Sequence, residues 1–167
     1  MENKPDRIIW HHTGDSQSAP QFDKVNAYHK TRWNYRSGLG FYGGYHVLIE
    51  KDGTARRYRD DEEIGAHDFN ENVNTIGIAL AGNFDVERPT DPQRYAFAAL
   101  LRQTLARWSI PPERIEPHRL RDTTSCPGRL IPDGWPQAIL LLYPAQSPDD
   151  VLRDIIRFIE AKLHAPR

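Results

Sequence analysis

The sequence predicts an α/β fold, a central mixed β-sheet flanked by helices in a single domain. Three observations predict it. Short apolar runs alternate with segments of helical period, which is the pattern of a layered α/β domain. An Asp-Gly pair between two strand-like runs marks a hairpin. The 167 residues, 38% of them hydrophobic, suffice for one core that buries roughly 70% of the unfolded chain's surface.

Arg7 to Trp10 is a buried strand that delivers His11, His12 and Thr13 at its C-terminal end. From Pro20 the positions Phe22, Val25, His29 and Trp33 recur every three or four residues, so an amphipathic helix follows. Gly38 to Gly44 breaks it. Tyr45 to Glu50 and Thr54 to Tyr58 are the hairpin strands around Asp52-Gly53, and Asp60 to Asn74 is a long polar loop. Thr75 to Leu80 is another buried strand. A long helix then starts with Asp91 as cap and Pro92 at its first position, with Phe97, Leu101, Leu105 and Trp108 inward. Ile115-Glu116 is a short strand running into Pro117-His118. Ala138 to Tyr143 is an apolar run expected to be buried, and a C-terminal helix is expected over about residues 148–164 from the cap at Ser147 to Asp150.

Twenty-two Lys and Arg balance 23 Asp and Glu, for a net charge of −1, which argues against a nucleic-acid partner. One cysteine precludes an internal disulfide framework, while seven histidines make a metal the natural alternative. No run approaches the roughly 20 apolar residues of a membrane span, and the polar N-terminus has no recognisable export signal. The expectation is a monomer, made in the cytoplasm and not inserted in a membrane.

Ligands of α/β sheets gather beyond the carboxyl ends of strands, where His11 and His118 fall. Cys126 follows eight residues after His118 in a turn-rich segment. Two imidazoles and one thiolate are a sufficient zinc set, and three protein ligands leave a fourth position open, as in catalytic sites. Spacing alone leaves two alternatives open. Cys126 can be a nucleophile with His118 as its base, or a small buried residue beside Pro127-Gly128.

Several local motifs occur in one order: Trp10-His11-His12-Thr13, Gly44-Tyr45-His46-Val47-Leu48-Ile49, Ile64-Gly65-Ala66-His67, Asn72-Val73-Asn74-Thr75-Ile76-Gly77-Ile78, Pro117-His118-Arg119 and Thr124-Ser125-Cys126-Pro127-Gly128. In this order they resemble the zinc N-acetylmuramoyl-L-alanine amidases, the family of short phage endolysins and animal peptidoglycan recognition proteins, over residues 7–128. The resemblance implies zinc held by His11, His118 and Cys126. It implies catalytic roles for Tyr45 and Thr124 and contacts to the muramyl peptide from His67 and Asn72. It implies hydrolysis of the amide between N-acetylmuramic acid and L-alanine, with peptidoglycan as partner. The segment Asn34 to Gly43 departs from the family pattern in its length and its glycines and aromatics.

Other residues read as structural. His12 points away from His11 in a strand, and His29 and His46 lie in amphipathic elements. Tyr45 and Thr124 are neutral donors suited to a developing oxyanion. Two further function classes stand beside the zinc amidase: a Cys126-dependent amidase or peptidase, and a module that binds peptidoglycan without cutting it. The missing export signal fits an endolysin that reaches the wall after membrane breach, and also an intracellular muropeptide-recycling amidase. Relatives of the latter kind use Asp as third ligand, so Cys126 favours the endolysin.

Overall fold

The computed structural model describes residues 2–143; the helix expected at 148–164 lies outside them. Five strands form one mixed sheet: β1 (Arg7–His12), β2 (Val47–Ile49), β3 (Ala55–Arg57), β4 (Thr75–Leu80) and β5 (Ile115–Pro117). Their order is β3-β2-β4-β1-β5, with only the β2–β3 hairpin antiparallel. β1 lies between β4 and β5, with His11 opposite Ala79 and Trp10 opposite Pro117. Because β5 is an edge strand, its Pro117 costs no ladder hydrogen bond on the open side.

The two-residue period of β1 sorts its side chains between two layers. Ile8 and Trp10 enter one core with Ile76, Ile78, Leu80, Phe97 and Leu101, against α2 (Asp91–Trp108) and α3 (Trp135–Leu142). His11 faces the other layer. There α1 (Phe22–Trp33) packs Phe22 and Val25 with Leu48, Tyr58 and Ala79. The expected central mixed sheet flanked by helices is what the structure shows.

The hairpin strands are shorter than the sequence suggests, but its turn is where Asp52-Gly53 puts it, with Gly53 at φ +88. α1 begins at Phe22 without a side-chain cap from Gln21. The buried Glu50 carboxylate instead accepts from the Gln21 and Phe22 amides at 2.8–2.9 Å, supplying anion and acceptor to the helix start. The cap of α2 is Thr90 rather than the expected Asp91. Thr90 and Gln93 form a reciprocal capping box, which outcompetes Asp91 because it satisfies two orphan amides at once. Residues 138–143 lie mostly in helix α3 and are not a wholly buried segment. Ile139 is buried, but Leu141 and Leu142 are exposed.

A buried cation helps to hold the unusual segment after α1, beside bonds from its backbone to Asn26, His29 and Glu63. Arg59, fully buried, donates to the carbonyls of Gly43, Ile64 and Tyr35 at 2.8–3.3 Å. Its two bonds to Gly43 pair a buried carbonyl that would otherwise lack a partner.

Candidate active site

The site forms where β1 and β5 end, on the α1 face of the sheet. β1 carries His11 to its last pair but one. A 3-10 turn, His118–Leu120, places His118 directly after β5. The chain then loops back, and the Arg119 amide donates to the Cys126 carbonyl at 2.7 Å, closing the loop beside His11. Arg119 fixes that loop further through the Gly128 and Ile131 carbonyls and Asp133.

One donor atom from each of His11, His118 and Cys126 lies within 4.8 Å of the others. Cys126 Sγ is 3.7 Å from His11 Nδ1, and the His11 and His118 rings are 4.5 Å apart. For tetrahedral zinc, bond lengths near 2.05 and 2.3 Å put nitrogen and sulfur about 3.5 Å apart, so this edge is already the right length.

Burial, and then the neighbouring rings of His67 and His118, hold the His11 pKa well below its ordinary value. Burial likewise lowers His118, against the pull of Asp122. Both rings are therefore neutral, the state in which an imidazole has a lone pair to give. Burial pushes the Cys126 thiol up to about 12. Burial outweighs the lowering pull of the His12 backbone and of Arg119, so the protein alone keeps the thiol protonated, whereas a coordinated cation would make it a thiolate.

Tyr45 stands 5.1 Å from His11, ring to ring. Burial raises its pKa, so the phenol keeps its proton. The Thr124 hydroxyl oxygen accepts from the Cys126 amide at 3.1 Å, which leaves its proton free to donate. All five residues line one cleft of about 910 Å³, together with Tyr28, His29, Arg32, Trp33, His67, Phe69 and Asn72.

His67 and Asn72 line the cleft, and both also make hydrogen bonds within the protein, through both ring nitrogens of His67 and through Oδ1 of Asn72. Asn72 Oδ1 accepts from the His67 and Asp68 amides at 2.8 and 3.1 Å and so shapes the loop. His67 Nδ1 lies 3.2 Å from His11 Nε2, and its Nε2 lies 3.3 Å from Thr75 Oγ1. The histidines read as structural are so placed. His12 Nδ1 accepts from the Phe84 amide, and His46 spans the Gly77 amide and the Glu63 carbonyl. His29 Nδ1 accepts from the Gly44 amide at 2.7 Å, but both His12 and His29 also line the cleft.

Sequence reasoning missed Asp68. Its carboxylate is buried, has no hydrogen-bond partner among the described residues, and lies 3.5 Å from His118 Nε2, itself without one. Burial, reinforced by Asp122 and Glu71, raises its pKa to about 6. A carboxylate behind a metal-ligating imidazole is a common way to steady the ring. Its one signal in the sequence was adjacency to His67.

The family model described as N-acetylmuramoyl-L-alanine amidase matches residues 1–129. The chain belongs to that family of enzymes. Among solved structures it resembles the N-acetylmuramoyl-L-alanine amidase LysC from Clostridium intestinale, at 34% identity and a TM-score of 0.70 over 83% of this chain and 87% of that one. Peptidoglycan-recognition protein SC2 of Drosophila melanogaster is 32% identical over 131 residues, 74% of this chain and 68% of that protein. The endolysin of Escherichia phage T7 is 43% identical over a shorter stretch of 42 residues, 25% of this chain and 28% of the endolysin. Fold and family thus agree with the resemblance read from the motifs.

Proposed function

We propose that this amidase-family protein hydrolyses the amide between the lactyl group of N-acetylmuramic acid and the L-alanine of the stem peptide, with zinc held by His11, His118 and Cys126. The observation that carries the reading is the convergence of those three donors in the lining of the cleft. Their chemistry fits zinc: two neutral imidazoles, one sulfur, and an edge of tetrahedral length. When bound, zinc supplies Lewis acidity toward water and toward a carbonyl oxygen.

The chain's own residues do the rest. The Tyr45 phenol, kept protonated by burial, donates to the scissile carbonyl oxygen as negative charge gathers there. Thr124 does the same from the loop that carries Cys126, its oxygen anchored by the Cys126 amide. Tyr28, Trp33 and Phe69 give the cleft rim apolar faces for a sugar ring, and Arg32 offers a cation to a peptide carboxylate. Asn72 contributes by holding the loop that forms one wall.

A cysteine nucleophile fits less well. Such enzymes need a thiol lowered toward neutrality, and burial drives Cys126 the other way. It also leaves the paired position of His11 without purpose. Wall lysis as an endolysin is the setting we favour, since a cysteine rather than an aspartate completes the donor set. Among the described residues no helix is long and apolar enough to cross a membrane.

The test is metal content and its removal. Purified protein holds about one zinc per chain, loses peptidoglycan cleavage on chelation and regains it with zinc. A folded protein that takes up no zinc, or cleaves equally without it, overturns the reading.

A further inference from the structure

Both nitrogens of His67 are used inside the protein, and the order in which protons run through them reaches the proposed metal centre. Thr75 Oγ1 lies 2.7 Å from the Glu71 carbonyl and 3.1 Å from that of Asn72. Carbonyls only accept, so the threonine proton is committed to them and Oγ1 is left as an acceptor. It therefore accepts from His67 Nε2–H at 3.3 Å. In the neutral ring His67 Nδ1 is then bare, and it accepts from His11 Nε2–H at 3.2 Å. His11 Nδ1 is consequently the atom with the free lone pair, and it is the one facing Cys126 Sγ.

The ring is seated as deliberately as it is bonded. A Cβ on Gly65 would lie 2.5 Å from His67 Cδ2, and a Cβ on Gly77 2.4 Å from Cδ2 and Cγ. Two glycines from two motifs thus make room for one imidazole, which is 7% exposed.

We propose that His67 is a positioning residue that fixes the ligating tautomer of His11 through the chain Thr75–His67–His11, rather than a hydrogen-bonding contact to substrate. The inference rests on the zinc reading above but concerns the protein without metal as well. Its reverse state is defined. If His67 carries its proton on Nδ1, it donates to His11 Nε2, forces the His11 proton onto Nδ1 and blocks the ligand position.

Two measurements test it. Long-range proton–nitrogen NMR of the metal-free protein reads the tautomers: wild type shows His11 and His67 both as Nε2–H. Thr75→Val removes the acceptor that orders the chain and populates the reverse state. Zinc affinity, read by competition with a chromophoric chelator, then falls about 10–100-fold in His67→Leu, the scale seen when such an outer partner is lost, and at least about twofold in Thr75→Val, where the competent tautomer is no longer favoured. His67→Asn, whose Oδ1 replaces the Nδ1 acceptor, restores most of that loss. Unchanged tautomers and unchanged zinc affinity in Thr75→Val and His67→Leu overturn the proposal, as does an Asn variant no better than Leu. If wild type binds no zinc while the tautomers respond as described, the chain of protons stands and the metal reading fails.

Discussion

Gly77→Ala asks whether the seat of His67 matters. The new Cβ would lie 2.4 Å from two ring carbons and 2.9 Å from Nδ1. Ordinary carbon contacts are about 3.5 Å or longer, so ring or strand must give by about 1 Å. The strand is poorly able to. Gly77 lies opposite Ile9 of β1, its carbonyl accepts from the His46 amide at 2.8 Å, and its amide donates to His46 Nδ1 at 2.9 Å. The ring therefore moves, taking Nδ1 out of line with His11 Nε2. Overpacking of this kind costs about 1–3 kcal/mol, partly offset by the roughly 0.4–1 kcal/mol that losing a glycine gains through the unfolded chain. Urea unfolding of the metal-free protein should show a net loss of about 1–2 kcal/mol. Chelator competition should show zinc bound about 10–100-fold more weakly. A variant as stable as wild type that binds zinc equally well would refute the seat and the role given to the ring.

Other outcomes follow from the same geometry. Tyr45→Phe and Thr124→Ala each remove one neutral donor and should lower kcat by about 100-fold or more with zinc content unchanged; elemental analysis beside turnover checks both halves. Cys126 in the zinc-loaded protein should resist alkylation. After chelation its rate should keep climbing above about pH 9, since burial holds the free thiol up near 12. Burial lowers the His46 pKa to about 4, below its unfolded value of about 6.5. The unfolded chain thus binds the extra proton first. The contribution of His46 to stability is full above pH 6.5 and falls by about 3 kcal/mol as pH drops to 4, so urea midpoints of His46→Asn should fall less steeply than those of wild type across that window.

The β1 run, the Asp52-Gly53 hairpin and the β4 run were legible because buried strands and turn chemistry are local properties. The α1 cap was not, since Glu50 reaches it from another strand, and Thr90 was hidden by the more obvious Asp91-Pro92 pair. The metal-binding candidates came through because motif order marks them, and the structure brings all three together. The surroundings of His67 did not. That its ring bonds to His11 and Thr75 depends on β4 lying beside β1, a tertiary fact no spacing shows. Adjacency to His67 did not reveal the role of Asp68, which is meaningful only once His118 arrives from 50 positions away.

Mass spectrometry of purified peptidoglycan digested by the zinc-loaded protein tests the proposed chemistry most directly. The expected products are stem peptides with a free N-terminal alanine, and glycan strands whose lactyl groups end in free carboxylates. Cuts within the glycan, cuts between peptide residues, or undigested material from folded, zinc-loaded protein would contradict it.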